Sequence, residues 1–463
     1  MILRLFTTTL LAIGMAIGLT HHSIANTKYS ASKTNHAAAY LSARQAQKER
    51  DWLNASKYWG IVLKETPMES EIPHILSRAA LTSLAAGEYE TAVEYAHKNA
   101  DEHEGALTVF DTMILSANAI NQGDMKRFND LLDSIDDEAF QQLVVPTIKN
   151  YMEKADGSEK KRYATALMDL AKLFLSEGRE DSTLLFARLS AFLDPASGEI
   201  NALLGDSLFS SADYDQAIIH YKRVTGDIEA YTRSRLLAAR ALRHLDRNDE
   251  AIKMLKDLSK ETESADVLYE LADYYRLDKD YKQAEKGYSY LISSFGEGDI
   301  PQRYAYAYYL RGIAKERNGH WDDAVKDFQK ALDVFPENAD ILNYLGYGWI
   351  DRGENMEEAE DMIRKALEIK SNDGYITDSL GWALHKKGQY EEAVKYLERA
   401  VELEPYDPII NDHLGDAYWE AGRKQEARYQ WKRALNYYTD DTPPELSLAT
   451  IEQKLEQGLD HTE

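Results

Sequence analysis

The sequence predicts an all-α solenoid: a right-handed superhelix of antiparallel helix pairs, about eleven repeats long, with the last eight regular. Three observations carry this. A small residue recurs at a near-constant interval, as Thr183, Ala217, Ala251, Ala284, Ala324, Ala359, Ala393 and Ala427, with steps of 33 to 35 residues and one step of 40 after Ala284. A glycine interrupts otherwise helical patterns at Gly312, Gly346, Gly381 and Gly415. Each costs roughly 0.5–1 kcal/mol against alanine, which a helix tolerates where a neighbour must come close. Third, Gly178, Gly319, Gly353, Gly388 and Gly422 recur where the first helix of a unit must end in a left-handed residue.

Taken in order, residues 1–25 (MILRLFTTTLLAIGMAIGLTHHSIA) read as a signal peptide. Arg4 supplies the positive start, an uncharged apolar run follows, and Ser23 and Ala25 are the small residues a signal peptidase requires. The apolar run is shorter than the roughly 20 residues a spanning helix needs, so cleavage after Ala25 is expected, with no stable membrane insertion afterwards. Residues 26–36 are polar and aperiodic, a flexible spacer. Residues 37–157 hold divergent N-terminal helical repeats, marked by Ala55, Ala92 and Phe128 with turn glycines Gly87 and Gly123. Residues 137–160 break the register and predict a degenerate helix. The regular array runs from 158 to 438, with a loop inserted at 293–302 and one extra residue in GENMEEA (353–359). Residues 439–463 form a capping helix and tail, whose Leu448, Ile451 and Leu455 share a face that covers the last repeat. Within a pair, Gly381 is expected to face Ala393, ringed by Leu380, Tyr390, Leu397 and Ala400.

Composition narrows function. With 54 basic and 79 acidic residues the net charge is −25, which opposes general binding of nucleic acid or anionic lipid. The chain has no cysteine, which excludes disulfides, thiolate metal sites and a cysteine nucleophile. No phosphate-binding loop, HExxH or GxSxG motif occurs, and GYGW at 346–349 lacks the third glycine and the strand of a nucleotide loop. No enzyme activity, cofactor or metal is expected.

The repeat pattern resembles the tetratricopeptide repeat. That resemblance implies that the first helices line a concave groove through the second, fifth, ninth and twelfth positions of each unit. In the last four units these positions give the candidate partner-binding residues Tyr306, Tyr309, Asn343, Tyr347, Tyr375, Asp378, Trp382, His385, Asp412, Asp416 and Trp419. Only Asn343 suits a groove that grips a terminal carboxylate, which needs Lys, Arg and Asn. An aromatic and acidic groove prefers a segment that is basic, or apolar and extended. Two other readings stay open. Asn343, Asp378 and Asp412 could bridge adjacent first helices while Trp382 and Trp419 pack inside the array. Stacked aromatics with carboxylates would also suit a glycan, as in polysaccharide export or cell-wall synthesis.

The C-terminal third carries closer marks. NYLGYGWIDRGENMEEAEDMI (343–363), DGYITDSLGWALHKKGQYEEAVKYLERAVELEP (373–405) and DPIINDHLGDAYWEAGRKQEARYQWKRAL (407–435) resemble a set of exported tetratricopeptide repeat proteins of Gram-negative bacteria. AYLSARQAQKERDWLNASKYW (39–59) resembles their start. The resemblance implies a non-enzymatic scaffold or adaptor in the periplasm with other envelope proteins as partners. Its better-known relatives are outer-membrane lipoproteins that join a periplasmic processing protease to cell-wall hydrolases. This chain lacks their lipidation cysteine, so a soluble periplasmic adaptor is expected.

Overall fold

The structure is a computed structural model that describes residues 36–65, 68–102, 107–154, 157–296, 300–439, 442–443 and 446–459. The signal peptide and residues 26–35 of the spacer lie outside the described residues. Among the described residues are 24 α-helices, one 3-10 turn and no strand. Packing divides the chain into two units, Met1–Thr262 and Glu263–Glu463.

In the first unit the helix pairs are α1 (His36–Lys48) with α2 (Trp52–Lys64), α3 (Ile72–Ala86) with α4 (Tyr89–Glu102), and α5 (Val109–Gln122) with α6 (Met125–Asp133). A single helix α7 (Glu138–Met152) follows, where the sequence expects a degenerate one. Then come α8 (Glu159–Ser176) with α9 (Glu180–Leu193), α10 (Gly198–Ser210) with α11 (Tyr214–Arg223), and α12 (Ile228–His244) with α13 (Asn248–Glu261). The second unit holds α14 (Ala265–Leu277) with α15 (Tyr281–Ser294), α16 (Gln302–Arg317) with α17 (Trp321–Val334), and α18 (Ala339–Arg352) with α19 (Met356–Ile369). It closes with α20 (Gly374–Lys386) and α21 (Tyr390–Leu403), α22 (Pro408–Glu420) and α23 (Lys424–Tyr437), and a last helix α24 (Leu448–Gln457). The expected inserted loop falls between α15 and α16.

One backbone device builds all eleven pairs. Each first helix ends in a residue with positive φ, as at Gly388, φ 75°. Its N–H reaches His385 C=O, and the Gln389 N–H reaches Leu384 C=O, both at 2.9 Å. These bonds satisfy carbonyls that the helix end would leave unpaired. Glycine holds seven of these places, whereas Arg50, Ala212, Asp246 and Lys279 hold the others at φ 56° to 62°. The extra residue of GENMEEA is taken up by Asn355, at φ 43°.

The close approach within a pair differs from the expectation at one point. A Cβ on Gly381 would lie 2.5 Å from Leu397 Cγ, so Leu397, rather than Ala393, fills the space that the glycine leaves. The same filling of space recurs elsewhere: Phe328 over Gly312, Ile363 over Gly346 and Trp431 over Gly415. The marker alanines Ala324, Ala359, Ala393 and Ala427 are fully buried one turn earlier. The glycine thus admits a bulky side chain from the facing helix, and the apolar contact offsets its conformational cost.

The first unit is not a simple stack. Its α9 packs on its neighbours α8 and α10 and also on the sequence-distant α3 and α5. Arg188 of α9, only 3% exposed, donates through Nε to the Ala85 C=O in the last turn of α3 at 3.2 Å. Its Nη1 lies 3.1 Å from His220 Nε2, and His220 Nδ1 lies 2.9 Å from Asn201 Oδ1. A helix C-terminus carries partial negative charge, which makes it a suitable seat for a buried guanidinium. Burial, with the Arg188 and Arg223 charges adding to it, holds His220 down at about 3, so its ring is neutral and accepts from Arg188. Arg50 adds an exposed tie to the start of α9, 2.5 Å from Glu180 and 3.0 Å from Asp181.

In the second unit successive first helices touch side by side, α14 on α16, α18 on α20 and α20 on α22. They form one layer, and the second helices back it. The last helix α24 packs on α23. Its buried anchor is Ile451, with Leu446 before it, while Leu455 is partly covered. Leu448, expected on the covered face, is 42% exposed. It stands at the first turn of the helix.

Candidate partner-binding surface

The expected groove residues separate into two groups. Three of the four at the fifth position, Tyr309, Asp378 and Asp412, turn into the layer, whereas Asn343 does not. Tyr309 is buried against Tyr306, Phe328 and Tyr344, with ring centroids 5.1, 5.9 and 5.8 Å away, and burial raises its hydroxyl above the usual range. Asp378 of α20 is buried and faces His413 of α22, whose Nδ1 is 3.0 Å from both carboxylate oxygens. Burial opposes charge on His413, but the Asp378 carboxylate, with Asp412 and Asp416 beyond it, outweighs burial and raises its pKa. Asp412 of α22 is 4% exposed and accepts from Lys454 of α24 at 2.6 Å. Burial and the Asp416 charge push Asp412 up to about 6 against the pull of Lys454.

Asp416 and Trp419 are also committed. Asp416 accepts from Lys454 at 2.8 Å and from the Trp431 indole at 2.9 Å. Trp419 packs 5.4 Å from Trp431, with Lys424 and Arg428 over its ring at 4.7 and 4.9 Å, and Gly458 lies against it. Asp378 thus bridges adjacent first helices, and Asp412, Asp416 and Trp419 dock the C-terminal helix.

The second group stays at the surface. Tyr375 is 56% exposed, and Tyr306, Asn343, Tyr347, Trp382 and His385 are half-buried. Trp382 stacks with two imidazoles, His385 at 4.8 Å and His413 at 4.0 Å, both nearly parallel to it. Burial, with the His413, Lys386 and Lys454 charges adding to it against Asp416, brings His385 down to about 4, so its ring is neutral near pH 7. Four polar atoms on these residues are buried without a hydrogen-bond partner: Asn343 Oδ1, Trp382 Nε1, and both ring nitrogens of His385. Together they hold one amide acceptor, one indole donor and, on the neutral imidazole, one donor and one acceptor.

Sequence reasoning missed His413 and Lys454. His413 follows Asp412 in NDHLGD, and its partner Asp378 stands 35 residues earlier at the neighbouring first helix. That opposite-character pair one repeat apart is a readable signal. Lys454 carried no such mark, because its partners come from packing of the tail. Among the described residues, no cluster of three or more His, Asp or Glu is placed to hold a metal ion, and no helix is long and apolar enough to cross a membrane.

Comparison with known proteins bears on the repeat itself. An 81-residue stretch is 33% identical to a TPR repeat-containing protein of Pseudomonas aeruginosa, PA4667, covering 18% of this chain and 14% of that one. A 113-residue stretch is 28% identical to the CTR9 homolog of Arabidopsis thaliana, covering 24% of this chain and 10% of that one. The chain therefore spans a small part of either relative. Among solved structures, the Cut9–Hcn1 assembly chain aligns over 92% of this chain and 97% of its own, at 14% identity and a TM-score of 0.44. Residues 224–439 match the family model described as Tetratricopeptide repeat, and the fold is the all-α solenoid of that repeat.

Proposed function

We propose that this chain is a non-enzymatic scaffold that holds an extended segment of another protein along the layer of first helices in its second unit. The observation that carries this reading is the strip Tyr306, Asn343, Tyr347, Tyr375, Trp382 and His385. Aromatic surface lies there beside buried polar atoms with no partner. Aromatic anchors supply contact area, and unpaired buried groups gain a full hydrogen bond when a ligand satisfies them. The carboxylates at Asp378, Asp412 and Asp416 are already engaged, so the strip favours an apolar, extended segment over a basic one. The same engagement weakens the glycan reading, which needs free carboxylates beside the rings. The N-terminal sequence supports an exported, periplasmic setting, with envelope proteins such as a processing protease or cell-wall hydrolases as the partner class.

The test is crosslinked capture from envelope extracts, followed by mass spectrometry, with the full chain and with Tyr375→Ala/Trp382→Ala. The expected result is a protein captured by the parent and lost from the variant at unchanged helix content. Equal capture by both, or retention of glycan alone, overturns it.

A further inference from the structure

The C-terminal helix rests on three of the candidate groove residues, Asp412, Asp416 and Trp419. Lys454 inserts its ammonium between two buried carboxylates, Asp412 and Asp416, on the first helix of the last pair. Gly458, at φ 82°, lies on the Trp419 ring, where an added Cβ would be 2.0 Å from Cζ2. Yet the docking is slight. Within α24 only Ile451 is fully buried, and the helix has ten residues, below the roughly 12–15 at which an isolated helix becomes even marginal. The fit is also incomplete. Asp412 Oδ1 is buried without a partner, because a single ammonium spans one oxygen of each carboxylate.

We propose that the Asp412–Asp416–Trp419 cradle is a second docking site, for a partner's amphipathic helix that presents an arginine, and that α24 is its built-in competitor. Three features define the occupant. An apolar side chain three places before the cation fills the seat of Ile451. The cation enters the acid pair, where a guanidinium fork reaches both oxygens of Asp412 as well as Asp416. A glycine or an open end follows, since Trp419 admits no Cβ above it. A tethered helix acts at an effective concentration on the order of millimolar, so α24 keeps weak helices out and yields only to a tighter one. The inference rests on the scaffold reading but uses the last helix pair, next to the strip.

The experiment uses the full chain and Ile451→Asp, which places a third carboxylate beside the acid pair and expels α24. Each is titrated with a labelled peptide of residues 446–459, and with that peptide carrying K454R or K454E. The expected result is binding to the Ile451→Asp chain at least ten-fold tighter than to the parent, tighter again for K454R, and absent for K454E. Hydrogen exchange on the parent chain gives a second measure, with α24 amides exchanging at least 100-fold faster than those of α22. Equal peptide binding by both chains, equal binding of K454E, or slow exchange of α24 overturns the proposal. Dimers of the parent chain formed by exchange of α24 overturn the partner assignment in favour of a second copy. The strip variant Tyr375→Ala alone, at an exposed ring outside the cradle, leaves peptide binding unchanged, so failure of the scaffold reading is separable from failure here.

Discussion

At Gly381 a single hydrogen decides how two helices meet. Gly381→Ala sets a methyl 2.5 Å from Leu397 Cγ, and the overpacking costs about 1–3 kcal/mol in a denaturation series. Leu397→Ala alone opens a cavity at about 2–5 kcal/mol. The double variant should cost at least about 0.5 kcal/mol less than the sum, because the new methyl occupies the vacated space. Ala212, Asp246 and Lys279 present the opposite case, each held at positive φ where its Cβ is strained. Replacing any of them by glycine should stabilise the chain by up to about 1 kcal/mol, read as a rise in midpoint at unchanged slope. The two imidazoles that stack on Trp382 supply the pH prediction. His413 is raised, so its pairing with Asp378 stabilises most below the ordinary histidine range and fades as pH rises through its folded value. His385 is lowered to about 4, so its burial favours the fold above about 6.5 and loses that contribution as pH falls toward 4. Asp412, Asp416 and Lys454 also face this cluster. Proton-detected titration should therefore find the rings on opposite sides of the ordinary value, and Asp378→Asn should cost more stability at pH 6 than at pH 9. Equal titration of both rings would refute this. The turn glycines were readable in the sequence because left-handed backbone selects a residue type. The Leu397 contact was not, because a marker alanine and a bulky residue one turn later both obey the same helical period.

The element with the most revealing support is α9, which Arg188 joins to α3. Arg188→Met keeps the length of the side chain but leaves Ala85 C=O and His220 Nε2 buried and unpaired, at about 1–3 kcal/mol for each group. Arg50→Ala removes two ion pairs from the same pair of repeats, but these are partly exposed, and its cost should stay below about 1 kcal/mol. Matched urea curves check the ordering, and an Arg50 effect larger than the Arg188 effect would contradict it. Nothing in LLFARLSAF marks Arg188 as buried, since arginine in a helix ordinarily lies on its solvated face. Its role arises from a contact 103 residues away. The same limit applied to the groove. The repeat resemblance named positions along the first helices, but it could not tell Tyr375, which is exposed, from Asp378, which faces His413.

For the whole molecule, the two units distribute stress differently. In an ideal repeat stack each pair touches only its neighbours, so a local defect remains local. The second unit follows that rule, with first helices touching in series from α18 through α20 to α22. The first unit departs from it, because α9 packs on both α3 and α5 and carries the Asn201–His220–Arg188–Ala85 relay across four helices. Closing contacts between distant segments couple the stability of everything between them. Hydrogen exchange on the full chain can read this directly. Gly381→Ala should accelerate exchange in α18 to α23 and leave α14 to α16 within about two-fold of the parent, since opening spreads through neighbouring pairs and dies away. Arg188→Met should accelerate exchange together in α3, α5, α9 and α11, although α3 and α11 are separated by more than a hundred residues. The contrast depends on connectivity rather than on the size of either defect. A Gly381 defect that spreads across the whole second unit, or an Arg188 defect confined to α9, would mean that packing between neighbours alone governs both halves.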